Sequence, residues 1–233
     1  MFERAAHVPV AALLNALDSR VLNECACAFG GGTRIALELG EFRESNAIDF
    51  LTSDAAGFAA LRILLKDGGC GALFSQSAQL SFPREPKIDQ YAVRFPVLVS
   101  GASTRVEFIR EARIALDPAV AVPWSRAPCL GISDCFAEKL LANSDRWPDD
   151  SVLSRDLIDL AALTTRFGPI PREAWQKAEG AYRSAARADL RKASSRFISA
   201  EAHRARCFDG LAISTELQPG ILDPIGRWAE GRD

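Results

Sequence analysis

The stretch FGGGTRIALELGEFRESNAIDFLTSD, residues 29–54, decides how this chain can fold. It opens with a run of three glycines, continues through a short amphipathic segment, and ends in an apolar strand that contains one carboxylate, Asp49. A charge is costly to bury unless a partner compensates it. Asp49 therefore predicts a counter-charge beside the strand. A metal ion is one candidate, and a structural salt bridge to Arg34 or Arg43 is the other.

The composition describes an ordinary globular protein. The chain has 233 residues, of which 48% are hydrophobic and 25% are charged, enough for one large domain or two small ones. Its formal net charge of −2 gives no overall basic character. A nucleic-acid partner would therefore have to be held by a local basic patch.

The targeting and cysteine patterns exclude several classes of protein. The N-terminus lacks the features of a secretory signal, and no stretch approaches the roughly 18 apolar residues of a membrane span. The six cysteines show no C-x-x-C spacing, which argues against a zinc knuckle or a redox pair. We expect a cytoplasmic protein with reduced, structural thiols and no membrane partner.

The hydrophobic period changes once along the chain. The first half alternates between helix and strand patterns, whereas the segment DPAVAVPWSRAP, residues 117–128, is typical of a linker, and only helical periods follow it. This predicts an α+β fold with a mixed-sheet domain at 1–120 and a helical domain at 121–233. Strands are predicted at 24–31, 47–53, 71–82, 91–101 and 103–111, and helices at 10–21, 33–39, 55–69 (capped by Asp54), 134–146, 151–167 and 172–198.

The glycine run permits two interpretations. Gly30, Gly31 and Gly32 would leave backbone N–H groups uncovered at the start of a helix, where the helix dipole favours anions such as phosphate. The run matches neither the dinucleotide fingerprint nor the Walker loop, because Thr33 and Arg34 stand where a Walker loop has Lys and Ser or Thr. A tight strand-to-helix turn without a ligand is an equally good explanation of the glycines alone.

Three segments together resemble a known family. GGTRIALELGEFRESNAIDF (31–50), AEKLLA (137–142) and RDLIDLAAL (155–163) resemble the AbiEii/AbiGii-type nucleotidyltransferase toxins, in which a Gly-Gly-Thr turn precedes an Arg-x-Ser-x-Asp-x-Asp-Phe strand. The resemblance implies a polymerase-β-like nucleotidyltransferase core, dependence on Mg²⁺, and transfer of a nucleotide from an NTP to an acceptor. It also implies an RNA acceptor such as a tRNA 3′ end, and a cognate antitoxin as a possible partner.

The family pattern is broken at one position. Arg43, Ser45 and Asp49 match it, but the first of the two metal-binding aspartates falls on Ala47, which has no ligand atom. Carboxylates at i and i+2 of a strand share a face and can share a metal. This chain therefore lacks one expected metal ligand.

Three explanations of Ala47 are open. The chain is a naturally degenerate enzyme, or Asn46 replaces the ligand weakly from a shifted strand, or the sequence is an engineered, inactivated variant of an active toxin. The otherwise intact pattern around position 47 favours the third explanation. The rival function is a non-catalytic NTP- or RNA-binding module on the same fold.

The resemblance also assigns roles to other residues. Gly31, Gly32, Thr33, Arg43 and Ser45 would contact the nucleotide. Glu107 would be a further carboxylate that binds the catalytic metal and accepts the proton of the acceptor hydroxyl. The alternative for Glu107 is a glutamate on an edge strand that faces water.

Two helical motifs complete the predicted site. Lys139 would bind the β- or γ-phosphate as an exposed functional lysine that contributes little to folding, and the alternative is a solvated helix lysine. Asp156 and Asp159 lie at i and i+3 on one helix face and would orient Lys139 or contact the metal or nucleotide, with Asp156 preferred. The alternative for both is surface charge, with Arg155 pairing weakly to Asp159.

The basic stretch 172–197 also has two interpretations. Its arginines and lysines recur at three- to five-residue spacing and could form a rail for RNA phosphates. Interspersed acidic residues make a solvated helix face an equal alternative. Trp175 and Tyr182 in this stretch are predicted to lie in the core.

Overall fold

The structure is a computed structural model that describes residues 2–75, 79–99 and 101–232. The chain forms two compact units. The first comprises Met1–Arg34 with Ser45–Gly131, and the second comprises Ile35–Glu44 with Ile132–Asp233. The division predicted between residues 120 and 121 stays a prediction, because compactness alone does not show which segments fold independently.

One helix of the first unit begins at the glycine turn, and the others lie before or after it in the sequence. The predicted helix over 10–21 is wrong as a single element, because Leu17 is extended (ψ 143°) and Asp18 starts a new helix by accepting a hydrogen bond from the Arg20 N–H. The predicted cap at Asp54 is confirmed, since its carboxylate accepts from the Gly57 N–H at 2.8 Å. The helices are α1 (Val8–Ala16), α2 (Ser19–Glu24), α3 (Gly31–Glu38), within which the two units divide, and α4 (Ala55–Gly68).

The centre of the first unit is a mixed sheet. Among the described residues it has eight strands in the order β3-β5-β6-β2-β1-β8-β7, with β4 paired to β5. The pairs β2–β6 and β1–β8 are parallel and the others are antiparallel. The strands are β1 (Ala28–Gly30), β2 (Ile48–Thr52), β3 (Leu80–Ser81), β4 (Lys87–Ile88), β5 (Ala92–Val99), β6 (Ala102–Arg110), β7 (Val120–Val122) and β8 (Ser125–Cys129).

The sheet confirms the predicted α+β class, but two of its segments differ from expectation. The predicted linker 117–128 instead contributes β7 and β8, since Pro118 precedes β7, Pro123 lies at the turn between the two strands and Pro128 lies within β8. The predicted strand 71–82 is a 3₁₀ turn at Cys70–Leu73 followed by the short β3, and its residues 76–78 lie outside the described residues.

The two faces of the sheet have different chemistry. On one face Phe50 stacks on Phe108 with ring centroids 4.9 Å apart, and Phe29 and Phe95 extend the same aromatic cluster. Side chains alternate between faces along a strand. The charged residue Asp49, next to Phe50, therefore points to the opposite face, where its partner on β6 is also charged.

The second unit is helical. The predicted helix over 172–198 is wrong as a single element, because Arg183 adopts a left-handed backbone (φ +53°) that separates α7 from α8. All six cysteines of the chain are buried. The helices of this unit are α5 (Ile132–Arg146), α6 (Arg155–Phe167), α7 (Arg172–Tyr182), α8 (Ala185–Ser199), α9 (Glu201–Gly210) and α10 (Gln218–Ala229).

Gly57 provides a test of the packing of the first unit. A Cβ at this position would lie 2.4 Å from the carbonyl oxygen of Cys25, and a backbone oxygen cannot move aside cheaply. We expect Gly57→Ala to lower the free energy of unfolding by about 1 to 3 kcal/mol, measured by urea denaturation.

The control is Gly180→Ala on α7, where a Cβ would have no neighbour within 4 Å. Replacing an unhindered helical glycine by alanine raises stability by roughly 0.5 to 1 kcal/mol. The two substitutions should therefore have opposite signs. A stabilising Gly57→Ala would show that α4 does not pack against Cys25 as described.

Candidate functional site

Two carboxylates face each other across parallel strands of the first unit. Asp49 on β2 and Glu107 on β6 are direct register partners, so their side chains stand on the same face of the sheet. The register continues through Arg94 on β5 to Lys87 on β4. We call these four residues the transverse row. It places two carboxylates at one end and two cations at the other.

Gly31 brings backbone against the carboxylate of Asp49. A Cβ at Gly31 would lie 2.6 Å from Asp49 Oδ2, and the residue has φ +69°. Both the space and the backbone conformation therefore require glycine. Helix α3 begins at this residue, and the partial positive charge of a helix N-terminus favours a nearby carboxylate. The protein itself thus supplies part of the compensation that the sequence predicted for Asp49.

The loop before β2 is tied to the first turn of α3. The buried Thr33 hydroxyl donates to the carbonyl oxygen of Ala47 at 2.5 Å and lies 2.7 Å from Ser45 Oγ. Because Thr33 has a single O–H, Ser45 must donate the second of these bonds. The Ser45 N–H in turn donates to Nε2 of His7, which is fully buried. Thr33 and Ser45 therefore fix the loop with the same hydroxyls that the sequence assigned to the nucleotide.

This loop fixes the register of Ala47. A one-residue slip would break the Thr33 hydrogen bond and turn Asp49 to the other face of the sheet. Asn46 would therefore have to replace the missing ligand without a shifted strand, and it lines the same cleft as Ala47 and Glu107. Ala47 and Glu107 line the same cleft, so a longer side chain at position 47 would extend towards the carboxylate of Glu107.

The donor set fits a single hard cation that shares its ligands with a substrate. Mg²⁺ is commonly held by one or two carboxylates together with substrate phosphates and water. Asp49 and Glu107 provide such a pair. The described residues contain no group of three or more acidic, histidine or cysteine side chains that could hold a metal by themselves. With Ala47 in place, a second metal has no carboxylate of its own here.

A buried ion network occupies the second unit. The ammonium of Lys139 on α5 lies 2.9 Å from Asp156 Oδ1 and 2.7 Å from Asp159 Oδ2, both on α6. Arg43 donates to both oxygens of Asp159, at 2.6 and 2.8 Å, and Arg146 donates to both oxygens of Asp156, at 2.6 and 3.0 Å. We call these five residues the lysine network.

The network keeps Lys139 and Asp156 charged. Burial alone would lower the pKa of Lys139, but the carboxylates of Asp156 and Asp159 outweigh it and raise the pKa. Burial opposes ionisation of Asp156, yet Lys139 and Arg146 hold the pKa of that carboxyl well below its ordinary value. Three cations then face two carboxylates, so the network carries an excess positive charge that suits an anion.

Several sequence-based alternatives are wrong. Lys139 is 5% exposed, so it is neither the exposed functional lysine nor the solvated helix lysine that the sequence predicted, and Asp156 and Asp159 are buried rather than surface charges. Glu107 does not lie on an edge strand, because β6 runs between β5 and β2. The catalytic, metal-binding and nucleotide-binding roles assigned to these residues stay predictions.

Two residues of these clusters escaped the sequence analysis. Arg146 stands seven positions after Lys139, two turns along the same helix face, so its spacing was a usable signal. His7 gave no such signal, because a lone histidine near the N-terminus has no motif around it. Its role depends on the fold, which brings it to Ser45 across 38 positions of the sequence.

Several cations of the predicted phosphate rail at 172–197 pair with acidic side chains of the protein. Lys177 pairs with the buried Asp134, and Arg187 pairs with Glu179 and covers the ring of the buried Trp175. Arg196 pairs with Asp150. These contacts, together with the break at Arg183, favour a structural helix face over a continuous rail.

The described helices include none with the length and apolar character to cross a membrane.

Comparison with known proteins agrees with this architecture. Two crystal structures from Helicobacter pylori have a similar fold. JHP933 aligns over 99% of this chain and 92% of its own, with a TM-score of 0.58 and 14% identity. A putative nucleotidyltransferase aligns over 97% and 92%, with a TM-score of 0.50 and 12% identity. At such identities the likeness concerns the fold alone. No curated protein matches the chain.

The family comparison extends over most of the sequence. The profile described as "Nucleotidyl transferase AbiEii toxin, Type IV TA system" matches residues 12–213, which include the glycine turn, both strand carboxylates and the lysine network. This chain therefore belongs to the AbiEii family of nucleotidyl transferase toxins from type IV toxin–antitoxin systems.

Proposed function

We propose that this toxin-family nucleotidyltransferase acts in the cytoplasm and transfers a nucleotide from a Mg²⁺-bound NTP to an RNA acceptor, such as the 3′ end of a tRNA. The observation that carries the proposal is the in-register pair of Asp49 and Glu107 beside the backbone of Gly31. Such a pair provides hard oxygen ligands next to the N-terminus of a helix, the combination that a metal–triphosphate requires.

The chemistry assigns one role to each strand carboxylate. The acceptor hydroxyl oxygen forms a bond to the α-phosphorus of the NTP, and the bond from that phosphorus to the bridging oxygen breaks, so pyrophosphate leaves with the electron pair. Glu107 takes the hydroxyl proton, and Asp49 with Glu107 would hold the metal ion. Bound Mg²⁺ would offset the charge on the triphosphate.

The glycine turn and the loop before β2 would position the nucleotide. The backbone N–H groups of Gly31 and Gly32 would face phosphate oxygens, as at other helix N-termini. Thr33 and Ser45 hold Ala47 and the start of β2 in place, so we assign them to positioning the nucleotide site.

Lys139 would bind the β- or γ-phosphate. Asp156 and Asp159 each pair with its ammonium, which would leave the third N–H of the ammonium for a phosphate oxygen. Arg43 and Arg146 tie down the two aspartates. The excess positive charge of the lysine network would stabilise the leaving pyrophosphate.

The second candidate is a non-catalytic NTP- or RNA-binding module on the same fold. Ala47 favours it, because this residue removes a ligand from the place where the family has the first aspartate. The two candidates differ in whether restoring that ligand restores chemistry. A cognate antitoxin is compatible with both.

Restoring the carboxylate at position 47 tests the proposal. We expect Ala47→Asp to raise Mg²⁺-dependent incorporation of labelled NTP into total RNA by about 100-fold or more, because it completes the carboxylate set around the metal. The measurement is gel analysis of RNA incubated with each of the four α-labelled NTPs.

Two controls accompany this variant. Ala47→Asn has the same shape without the charge, and Ala47→Asp with Asp49→Asn removes the partner carboxylate, so both should stay at the level of the parent chain. A folded Ala47→Asp protein that transfers none of the four nucleotides to RNA would favour the binding module.

The role of Lys139 requires a separate test. In the Ala47→Asp background we expect Lys139→Met to reduce transfer by about 100-fold or more through loss of phosphate stabilisation. It should also cost roughly 3 kcal/mol of stability or less, because Asp156 keeps Arg146 and Asp159 keeps Arg43 as partners. Transfer assays and urea denaturation measure the two effects.

Lys177→Met is the matched control. Lys177 is another helix lysine of the second unit, and it pairs with Asp134, which is fully buried. Its loss should lower stability and leave transfer per folded molecule unchanged. Equal loss of transfer in both variants would mean that Lys139 has only a structural role.

A further inference from the structure

A large cleft of the first unit lies beside the strand carboxylate Glu107. Its volume is about 670 Å³, and it is bordered by residues from β4, β5, β6 and the loop before β2. Its lining includes four cations and two carboxylates, Glu85 and Glu107. The cations are Arg84, Lys87, Arg94 and Arg105. The cleft is therefore positively charged in a chain whose net charge is −2.

The cations are spread along the sheet rather than gathered at one point. Lys87 and Arg94 belong to the transverse row, and Asp49 stands three strands away from Lys87. Three strand spacings of about 4.8 Å separate them by about 14 Å. The phosphates of a single triphosphate are bound by cations that converge on one point. Cations arranged in a row are instead placed to bind an extended polyanion.

The arginines of the cleft are oriented by carboxylates. Arg94 lies between Asp89, at 3.0 Å, and Glu107, at 3.7 Å, and Arg105 lies 3.2 Å from the same Glu107 oxygen. Both guanidinium groups stay partly open to solvent, with 44% and 65% of the side chain exposed. Each has five N–H donors, so donors remain for phosphate oxygens.

We propose that this basic cleft binds the phosphate backbone of a single-stranded RNA acceptor and directs its 3′ end along the transverse row towards Asp49 and Glu107. The inference rests on the proposed function and adds the surface that recognises the acceptor. Pro96, which shares the face of Arg94 on β5, adds apolar lining to the cleft.

The test measures RNA binding without catalysis. The variant Arg84→Gln/Lys87→Gln removes two cations of the cleft for which Glu107 is not a salt-bridge partner, and the probe is a fluorescein-labelled, mixed-sequence single-stranded RNA followed by anisotropy. We expect the Kd to rise roughly tenfold, and the slope of log K against log salt concentration to fall by about 1.4, or about 0.7 for each lost phosphate contact.

The control variant is Arg20→Gln/Lys66→Gln, which removes the same charge from exposed positions of the first unit outside the cleft. Mg²⁺-ATP binding by calorimetry is measured on all proteins. Loss of RNA affinity in the cleft variant alone, with ATP binding unchanged, supports the inference. Equal loss in both variants, loss of ATP binding instead, or equal competition by an RNA duplex of the same sequence would overturn it.

The test of the cleft can fail independently of the test of the proposed function. If Ala47→Asp fails to transfer nucleotides while RNA binding still depends on Arg84 and Lys87, the cleft remains an RNA site of a binding module. If Ala47→Asp transfers nucleotides but RNA affinity does not depend on Arg84 and Lys87, the proposed function stands and the acceptor surface lies elsewhere.

Discussion

The parallel pairing of β2 with β6 is the constraint on which the first unit depends. It sets Phe50 against Phe108 on one face of the sheet and Asp49 against Glu107 on the other. Because side chains alternate strictly, the aromatic core and the carboxylate pair are fixed by a single register. A slip by one residue would bury the charges and expose the rings, so the packing of the core protects the arrangement of the site.

The lysine network of the second unit is a costly arrangement of buried charges. Buried ions rarely raise stability over a well-packed apolar core, because desolvation offsets the Coulombic gain. Five charged residues are nevertheless held together here, with each aspartate bound by both Lys139 and an arginine. This costly arrangement fixes the lysine ammonium in one place, as the proposed phosphate contact of Lys139 would require.

Ala47 separates the requirements of the fold from those of the chemistry. The fold uses only the backbone of this residue, since Thr33 bonds its carbonyl oxygen. A change of side chain at position 47 therefore leaves the loop and the register of β2 intact. The same position lines the basic cleft beside Glu107, where a side-chain ligand would have a direct chemical effect.

The sequence by itself determined the elements whose signals are local. The glycine turn, β2, the Asp54 cap and α5 follow from period, capping and turn chemistry, and the motif spacing was enough to indicate the family. Local signals failed where a neighbour decides the outcome. β8 forms in a proline-rich segment because it pairs with β1. The break between α7 and α8 lies at Arg183, and no glycine marks it in the sequence.

Only the tertiary structure decided which charges meet. Arg43 and Asp159 are 116 positions apart, and no periodicity links them, yet they form a bidentate pair. The sequence treated Lys139 as a solvated lysine or a phosphate ligand, while the packing of α5 on α6 buries it between two aspartates. Periodicity reports which face of an element is apolar, but the partner of a buried charge depends on which elements pack together, and that is set by the whole core.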